Sequence, residues 1–187
     1  MRERRGVLAG LVGGTLGGAL LPRPARAQVG TLREDGPKPL PDLVFTDGEG
    51  KETRLTDFAG RGVVLNLWAT WCPPCVAEMP ALDRLAGVLE ADGIAVVALS
   101  SDRGGGAQVE SFYARTGVKK LGIWLDPRGV ATRALGPRGL PTTVLIDRAG
   151  RERARLEGDA AWDGPALLAD VRRLCGDGPA APSTEPT

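Results

Sequence analysis

The sequence predicts an α/β fold: a central mixed sheet flanked by helices, with an added N-terminal hairpin. Two observations predict it. An apolar strand, an amphipathic helix and a second apolar strand follow one another over residues 63–100, which is the pattern of a parallel strand-helix-strand unit. Before this unit, two short strand-like runs flank Asp47-Gly48-Glu49-Gly50, a typical hairpin turn. The 187 residues leave room for one core of ordinary size.

The first 27 residues have the composition of an export signal. Arg4-Arg5 precedes a Gly- and Leu-rich apolar stretch over residues 7–21, and Ala25-Arg26-Ala27 provides a small-x-small cleavage site. We expect cleavage at the Ala27/Gln28 bond and a periplasmic or other extracytoplasmic location. The twin-arginine route and an ordinary secretory signal both fit. An uncleaved membrane anchor ranks last, because the stretch falls short of the roughly 20 residues that span a bilayer.

Two polar segments bracket the predicted domain. Residues 28–39 are expected to be a linker, residues 40–176 the domain, and residues 177–187 a disordered tail. The whole chain carries a net charge of +1, but residues 1–27 contain five arginines and one glutamate, so the remainder has 19 basic and 22 acidic residues, a net of −3. We expect no nucleic-acid binding, since that function needs a basic surface.

The elements of the domain can be assigned from hydrophobic periodicity, caps and turn residues. In chain order they are the hairpin, a strand over 63–68, a helix to about residue 91, a strand over 94–100, a short helix near 109–115, a helical turn near 130–135, strands over 144–147 and 151–156, and a final helix from Pro165. Asp163 or Gly164 is the expected cap of that final helix, whose buried face is Leu167, Leu168, Val171 and Leu174.

Two cysteines lie where the first buried strand gives way to the helix, in Trp71-Cys72-Pro73-Pro74-Cys75. Thiols three residues apart can close a small disulfide, and a thiolate at a helix N-terminus is favoured by the macrodipole and the free N–H groups. We expect Cys72, at the cap, to attack a substrate and Cys75, one turn in, to resolve the mixed disulfide. The spacing therefore predicts a redox-active dithiol.

The two prolines between the cysteines indicate the direction of the redox chemistry. Pro73 and Pro74 suit the first helical turn, where their missing N–H groups would be unpaired anyway. They also withhold two donors from the Cys72 thiolate and leave only the Cys75 amide close to it. A thiolate that is stabilised less favours a reductase over an oxidase.

A structural disulfide or half of a zinc site is the alternative interpretation of the pair. A closed zinc site needs about four nitrogen or sulfur ligands, whereas the chain has three cysteines and no histidine. The lack of histidine also excludes Ser/His and Cys/His catalysis. We expect no metal and no cofactor beyond the Cys72–Cys75 disulfide. Cys175 continues the apolar spacing of the final helix and is expected to be a buried cysteine.

The chain resembles the thioredoxin superfamily and, within it, the exported TlpA-, ResA- and CcmG-like thiol-disulfide oxidoreductases, most of all the TlpA branch. The resemblance covers residues 41–174 and rests on three strings: NLWATWCPPC over 66–75, Glu78-Met79-Pro80, and GLPTTVLID over 139–147. It implies a thioredoxin-like fold in which Pro141 is a cis-proline facing the dithiol and Glu78 is the acidic residue near the buried sulfur.

Two of these implied roles have simpler alternatives. Glu78 could be a solvated helix charge, and Pro141 a trans-proline at the start of a strand. Asn66 stands where thioredoxin has a buried aspartate, so that proton relay does not carry over, and Glu78 is the expected substitute. A cis bond before Pro141 would let the Leu140 backbone pair with an extended substrate.

The remaining expected substrate contacts surround the two sulfurs. They are Trp71, which we expect to be partly exposed beside the Cys72 sulfur, and the prolines Pro73 and Pro74.

The resemblance implies an exported protein-disulfide reductase that acts on another exported protein. Its clients would be haem-attachment cysteines in cytochrome c maturation or copper-site cysteines in cytochrome oxidase assembly, and a membrane thiol-disulfide transporter would supply electrons. We expect a monomer. The alternatives are a disulfide-donating oxidase, a Sco-type copper-delivery protein, which needs a distal histidine, and a peroxiredoxin, which needs a threonine where Ala69 stands.

Overall fold

The computed structural model describes residues 30–176 of the chain. Nine strands lie in this range: β1 (Thr31–Arg33), β2 (Lys38–Pro39), β3 (Val44–Asp47), β4 (Glu52–Arg54), β5 (Gly62–Trp68), β6 (Ile94–Ser100), β7 (Trp124–Leu125), β8 (Thr142–Ile146) and β9 (Arg151–Glu157). The α-helices are α1 (Pro73–Leu89), α2 (Gly105–Thr116), α3 (Val130–Leu135) and α4 (Pro165–Cys175). The predicted α/β class, including the hairpin formed by β3 and β4, is confirmed.

The strands form one mixed sheet with β5 near its centre. Its order is β1-β9-β8-β5-β6-β7-β3-β4, and β2 also pairs with β9. Strand β5 is parallel to β6 and antiparallel to β8. All seven residues of β5 are buried, as expected for a strand covered on both faces. The carboxyl end of this buried strand therefore fixes the position of whatever follows it in sequence.

Helix α1 follows β5 and packs on the sheet through one apolar stripe. Met79, Leu82, Leu85 and Leu89 recur at helical spacing and are fully or almost fully buried. On the same side of the sheet, Trp68 stacks on Tyr113 of α2 at a ring separation of 5.9 Å. Burying four large apolar side chains contributes roughly 1.5–3 kcal/mol each, so packing anchors the helix that carries the cysteines.

The segment expected to be a linker is part of the fold from residue 30 onward, and that expectation is wrong there. Strand β1 pairs with β9, with Leu32 opposite Leu156, and β2 pairs with the other half of β9. Glu34 forms an ion pair with Arg173 of α4. These contacts cover the edge of β9, which would otherwise present unpaired N–H and C=O groups.

Helix α2 also differs from its predicted bounds. It begins at Gly105, four residues before the predicted start, and Gly104 is its N-cap. The predicted export signal and the predicted tail lie outside the described residues. No helix within residues 30–176 combines the length and the apolarity that a membrane crossing requires.

Candidate active site

The two cysteines form a disulfide at the start of α1. Cys72 is the N-cap residue, with extended backbone angles, and Pro73 and Pro74 occupy the first two helical positions. The Cys75 amide donates to Cys72 Sγ over 3.4 Å, as an N3 amide does to a capping side chain. Strand β5 and the helix cap thus hold the first sulfur against the first turn of α1.

Exposure differs along the segment that carries the dithiol. Trp71 is 67% exposed, Cys72 is 5% exposed and Cys75 is fully buried. Trp71 is therefore open to a partner protein, whereas both cysteines are buried, Cys75 completely. The order of attack by Cys72 and resolution by Cys75 remains a prediction.

Glu78 lies one helical turn after Cys75 and is buried, with 3% of its surface exposed. Its Oε2 accepts a hydrogen bond from Trp162 Nε1 at 2.8 Å and from the Ala160 amide at 3.1 Å, and its Oε1 accepts from Asn66 Nδ2 at 2.8 Å. Glu78 is therefore not a solvated helix charge. It joins α1 to β5 and to the segment between β9 and α4.

Burial controls the protonation of this carboxyl group. Removal from water raises the pKa of Glu78 to about 7, although the hydrogen bonds from Trp162, Asn66 and Ala160 oppose the shift. A carboxyl group with a pKa near neutrality can give up and take back a proton under physiological conditions. A role of Glu78 in proton transfer at the shielded cysteine remains a prediction.

Trp162 is a hydrogen-bond partner of Glu78 that the sequence reasoning missed. Its ring is fully buried and its indole N–H points at Glu78. The residues lie 84 positions apart in the chain, so no local pattern could have connected them. Asn66 also donates to Thr143 Oγ1, while its Oδ1 has no partner within the described residues.

Pro141 follows a cis peptide bond, so the trans alternative is wrong. It immediately precedes β8, and its carbonyl accepts a hydrogen bond from the amide of Gly158, the residue that follows β9. Leu140 packs against the core cluster that contains both cysteines. The cis bond before Pro141 thus agrees with the resemblance, and the roles of Pro141 and Leu140 in substrate binding remain predictions.

A second buried carboxylate, Asp102, holds the loop that precedes the dithiol. It accepts hydrogen bonds from the Thr70 amide at 2.9 Å, the Thr70 hydroxyl at 2.8 Å, the Ser100 hydroxyl at 2.8 Å and Gln108 Nε2 at 2.9 Å. This network connects the end of β5 to the end of β6 and to α2. The sequence reasoning did not single out Asp102, since one aspartate after a strand is a weak signal.

The third cysteine is separate from the dithiol. Cys175 is fully buried at the end of α4, and burial raises the pKa of its thiol to about 12, which keeps it protonated and unreactive. Its Sγ lies 3.6 Å from the Val63 carbonyl oxygen. Residues 30–176 contain no group of three or more side chains arranged to hold a metal ion.

A disulfide capping a helix that follows the central strand of a mixed sheet defines a class: the thiol-disulfide oxidoreductases of thioredoxin-like fold. Similarity to solved structures supports this class. The chain is similar to a thiol:disulfide interchange protein DsbE from Chlorobium tepidum, with TM-score 0.60 and 28% identity over 76% of this chain and 94% of that one. It is also similar to the exposed lipoprotein thioredoxin of Streptococcus pneumoniae, with TM-score 0.61 and 29% identity over 72% of this chain and all of that one.

The family follows from the sequence comparisons. The model of the Redoxin family matches residues 36–166. The thiol-disulfide oxidoreductase ResA of Bacillus cereus is 34% identical over 82% of this chain and 83% of its own length. The chain belongs to the Redoxin family and is a thiol-disulfide oxidoreductase. The ResA- and CcmG-like class is confirmed, whereas the TlpA branch stays a prediction.

Proposed function

We propose that this protein is an exported protein-disulfide reductase in which Cys72 attacks and Cys75 resolves. The Cys72 thiolate attacks a client disulfide, forms a mixed disulfide and releases one client thiolate, which takes up a proton. Cys75 then loses its proton and attacks Cys72 Sγ, which releases the second client thiol and closes the Cys72–Cys75 disulfide. Two electrons pass to the client. A thiol-disulfide transporter in the membrane then supplies two further electrons, which reduce the Cys72–Cys75 disulfide again.

One observation supports the reductive direction. Within the described residues, the one hydrogen bond to Cys72 Sγ comes from Cys75, and Pro73 and Pro74 have no N–H to offer. Capping side chains usually accept from the second or third helical residue, and here the second is a proline. The Cys72 thiolate is therefore stabilised less than in a cap with two donors, and the disulfide is correspondingly harder to reduce.

The reduction potential tests this proposal. In glutathione buffers we expect a potential more reducing than the roughly −180 mV of protein disulfide isomerase. Pro74→Ala adds an N–H at the second helical position and should make the dithiol more oxidising, by about 30 mV for each 1.4 kcal/mol of thiolate stabilisation. Pro80→Ala, farther along the same helix, is the matched control and should leave the potential unchanged. A wild-type value near −120 mV, typical of a strong oxidant, would make the protein a disulfide donor instead.

Location and clients complete the proposal. Export with cleavage at the Ala27/Gln28 bond is supported by the composition of the first 27 residues. N-terminal sequencing of exported protein should begin at Gln28, and a membrane-embedded product that begins at Met1 would contradict cleavage. Export that stops in an Arg4→Lys, Arg5→Lys variant would identify the twin-arginine route. The proposed clients are exported haem-site or copper-site proteins with cysteine pairs.

A further inference from the structure

Three loops meet at one end of the sheet, beside the dithiol. Strands β5, β6 and β7 are parallel neighbours, so their carboxyl ends share an edge. The loops that leave them begin at Ala69, Ser101 and Asp126. In open α/β sheets, ligands bind in the crevice outside these carboxyl ends. The first loop ends at Cys72, so anything bound there lies next to the reacting sulfur.

The loops enclose an open groove of about 520 Å³ whose lining includes Trp71, Arg103, Arg128 and Arg133. The four side chains come from all three loops and from α3, and all four are exposed. Trp71 provides an apolar surface of the kind that packs against a polypeptide. The three guanidinium groups provide planar donors that suit carboxylates.

These three arginines differ from many others on the surface. Arg84, Arg172 and Arg173 form ion pairs with Asp163, Asp92 and Glu34. Within residues 30–176, no ion pair is formed by the three groove arginines; Arg133 donates to the Arg128 carbonyl. Their charges are therefore available to a ligand.

The carboxylates near the groove do not cancel this charge. Asp102, the one acidic residue in the lining, is buried and satisfied by Thr70, Ser100 and Gln108. Asp126 is buried beneath the third loop and accepts from the amides of Val130 and Thr132. Three exposed positive charges thus face solvent, while the two negative charges are buried in hydrogen bonds.

We propose that this groove is a docking site for an acidic, extended segment of the client, adjacent in sequence to the client's reactive cysteine. Trp71 would pack against the segment, and the arginines would bind its Asp and Glu carboxylates. The inference rests on the proposed function, because it names the substrate class that Cys72 attacks. It requires clients whose cysteine pairs are flanked by negative charge.

The test compares three peptides with the same single disulfide, flanked on one side by Glu-Glu-Glu, Gln-Gln-Gln or Lys-Lys-Lys. In single-turnover reactions at low salt, the reduced wild-type protein should reduce the acidic peptide with a second-order rate constant about tenfold higher than that for the glutamine peptide. The gain should come mainly from tighter binding, because three exposed ion pairs contribute roughly this much. The preference should fall as ionic strength rises. A triple variant, Arg103→Gln, Arg128→Gln and Arg133→Gln, should reduce the ratio to about twofold or less.

Arg61→Gln is the matched control. Arg61 is exposed and precedes β5, at the opposite end of that strand from the dithiol, and its replacement should leave the peptide ratio at the wild-type value. Equal turnover of the three peptides by the wild type would overturn the docking site and leave the reductase proposal intact. Failure to reduce any peptide disulfide would overturn both. Binding of anionic vesicles through the three arginines, with equal peptide turnover, would identify the groove as a membrane contact instead.

Discussion

Glu78 is a carboxyl group in the interior that meets three hydrogen-bond donors but little water. Its surroundings have opposite effects, because burial favours the neutral acid and the donors favour the anion. Burial dominates and raises the pKa of Glu78 to about 7. At neutral pH the Glu78 carboxyl is present in both its protonated and its ionised form. This mixed population is the feature that proton transfer at Cys75 would use.

The raised pKa of Glu78 makes stability depend on pH. The folded protein holds this proton more tightly than the unfolded chain, whose carboxyl has a pKa near the ordinary value of 4.5. The stability that the bound proton adds to the folded state is complete below about pH 4.5 and is lost as the pH rises through about 7. The loss amounts to about 3 kcal/mol, at roughly 1.4 kcal/mol per pKa unit.

Urea unfolding of the oxidised protein at pH 5 and pH 8 measures this effect. The wild-type free energy of unfolding should fall between the two pH values relative to that of Glu78→Gln, which has no proton to lose. Parallel pH curves for the two proteins would contradict the raised pKa.

The indole of Trp162 lowers the proton affinity of Glu78 through its N–H. Trp162→Phe removes this donor, so the pKa of Glu78 should rise further above its wild-type value, as seen in a ¹³C NMR titration of the labelled carboxyl carbon. Trp68→Phe is the matched control. Trp68 is equally buried, and its indole N–H has no partner within the described residues, so the same loss of volume should leave the pKa unchanged. Equal shifts in both variants would mean that packing, not the hydrogen bond, sets the pKa.

The residues of the site differ in how far the sequence could predict them. Cys72, Pro73, Pro74 and Cys75 act through one helical turn, so their spacing alone predicts the N-cap, the first-turn prolines and the shielded second sulfur. The hydrogen-bond partners of Glu78 could not be predicted from local spacing. Ala160 and Trp162 lie 82 and 84 residues away in the chain and meet Glu78 only once the sheet is formed.

At the scale of elements, the connection between β5 and α1 is held by Asp102 rather than by its own short sequence. Hydrogen bonds to a buried charge are worth roughly 1.5–3 kcal/mol. Asp102→Ala should therefore lower the free energy of unfolding by at least about 2 kcal/mol. The Thr70 amide, which donates to Asp102, should exchange its hydrogen faster.

Asp57→Ala provides the comparison for this effect. Asp57 also accepts from a backbone amide, that of Arg54, but at an exposed site, so its loss should cost about 1 kcal/mol or less. Urea unfolding measures both variants. Equal losses of stability in Asp102→Ala and Asp57→Ala would show that Asp102 stabilises the dithiol loop no more than an exposed capping aspartate does.

Long apolar elements were predictable from their pattern, whereas the short strands β1 and β2 were not. Strands β5 and β6 and helix α4 have enough residues for a period to be visible. Strands β1 and β2 have three and two residues, too few for any alternation, and they exist because β9 offers an edge. Glycines at 104–106 disfavour a helix by propensity, yet α2 begins there, where Gln108 accepts from the Gly104 amide.

At the scale of the whole molecule, the sheet brings chemistry from distant parts of the chain to one end. Strand β5 leads to the dithiol, β6 to Asp102 and Arg103, and β7 to Arg128. The sequence predicted the parallel strands and the dithiol. It did not predict the groove, because Arg103, Arg128 and Arg133 are ordinary surface residues until parallel pairing brings them beside Trp71.

The central claim is that Cys72 attacks clients and Cys75 resolves, and trapping of mixed disulfides tests it most directly. Cys75→Ser should accumulate an adduct through Cys72 in the native compartment, because Cys72 can still attack and no second thiol remains to release the client. Cys72→Ser should trap nothing, and Cys175→Ser, whose thiol is buried elsewhere, should behave like the wild type. Mass spectrometry should identify an exported client with a cysteine pair. Equal trapping by Cys72→Ser, or no adduct with either variant under oxidising conditions, would contradict the account.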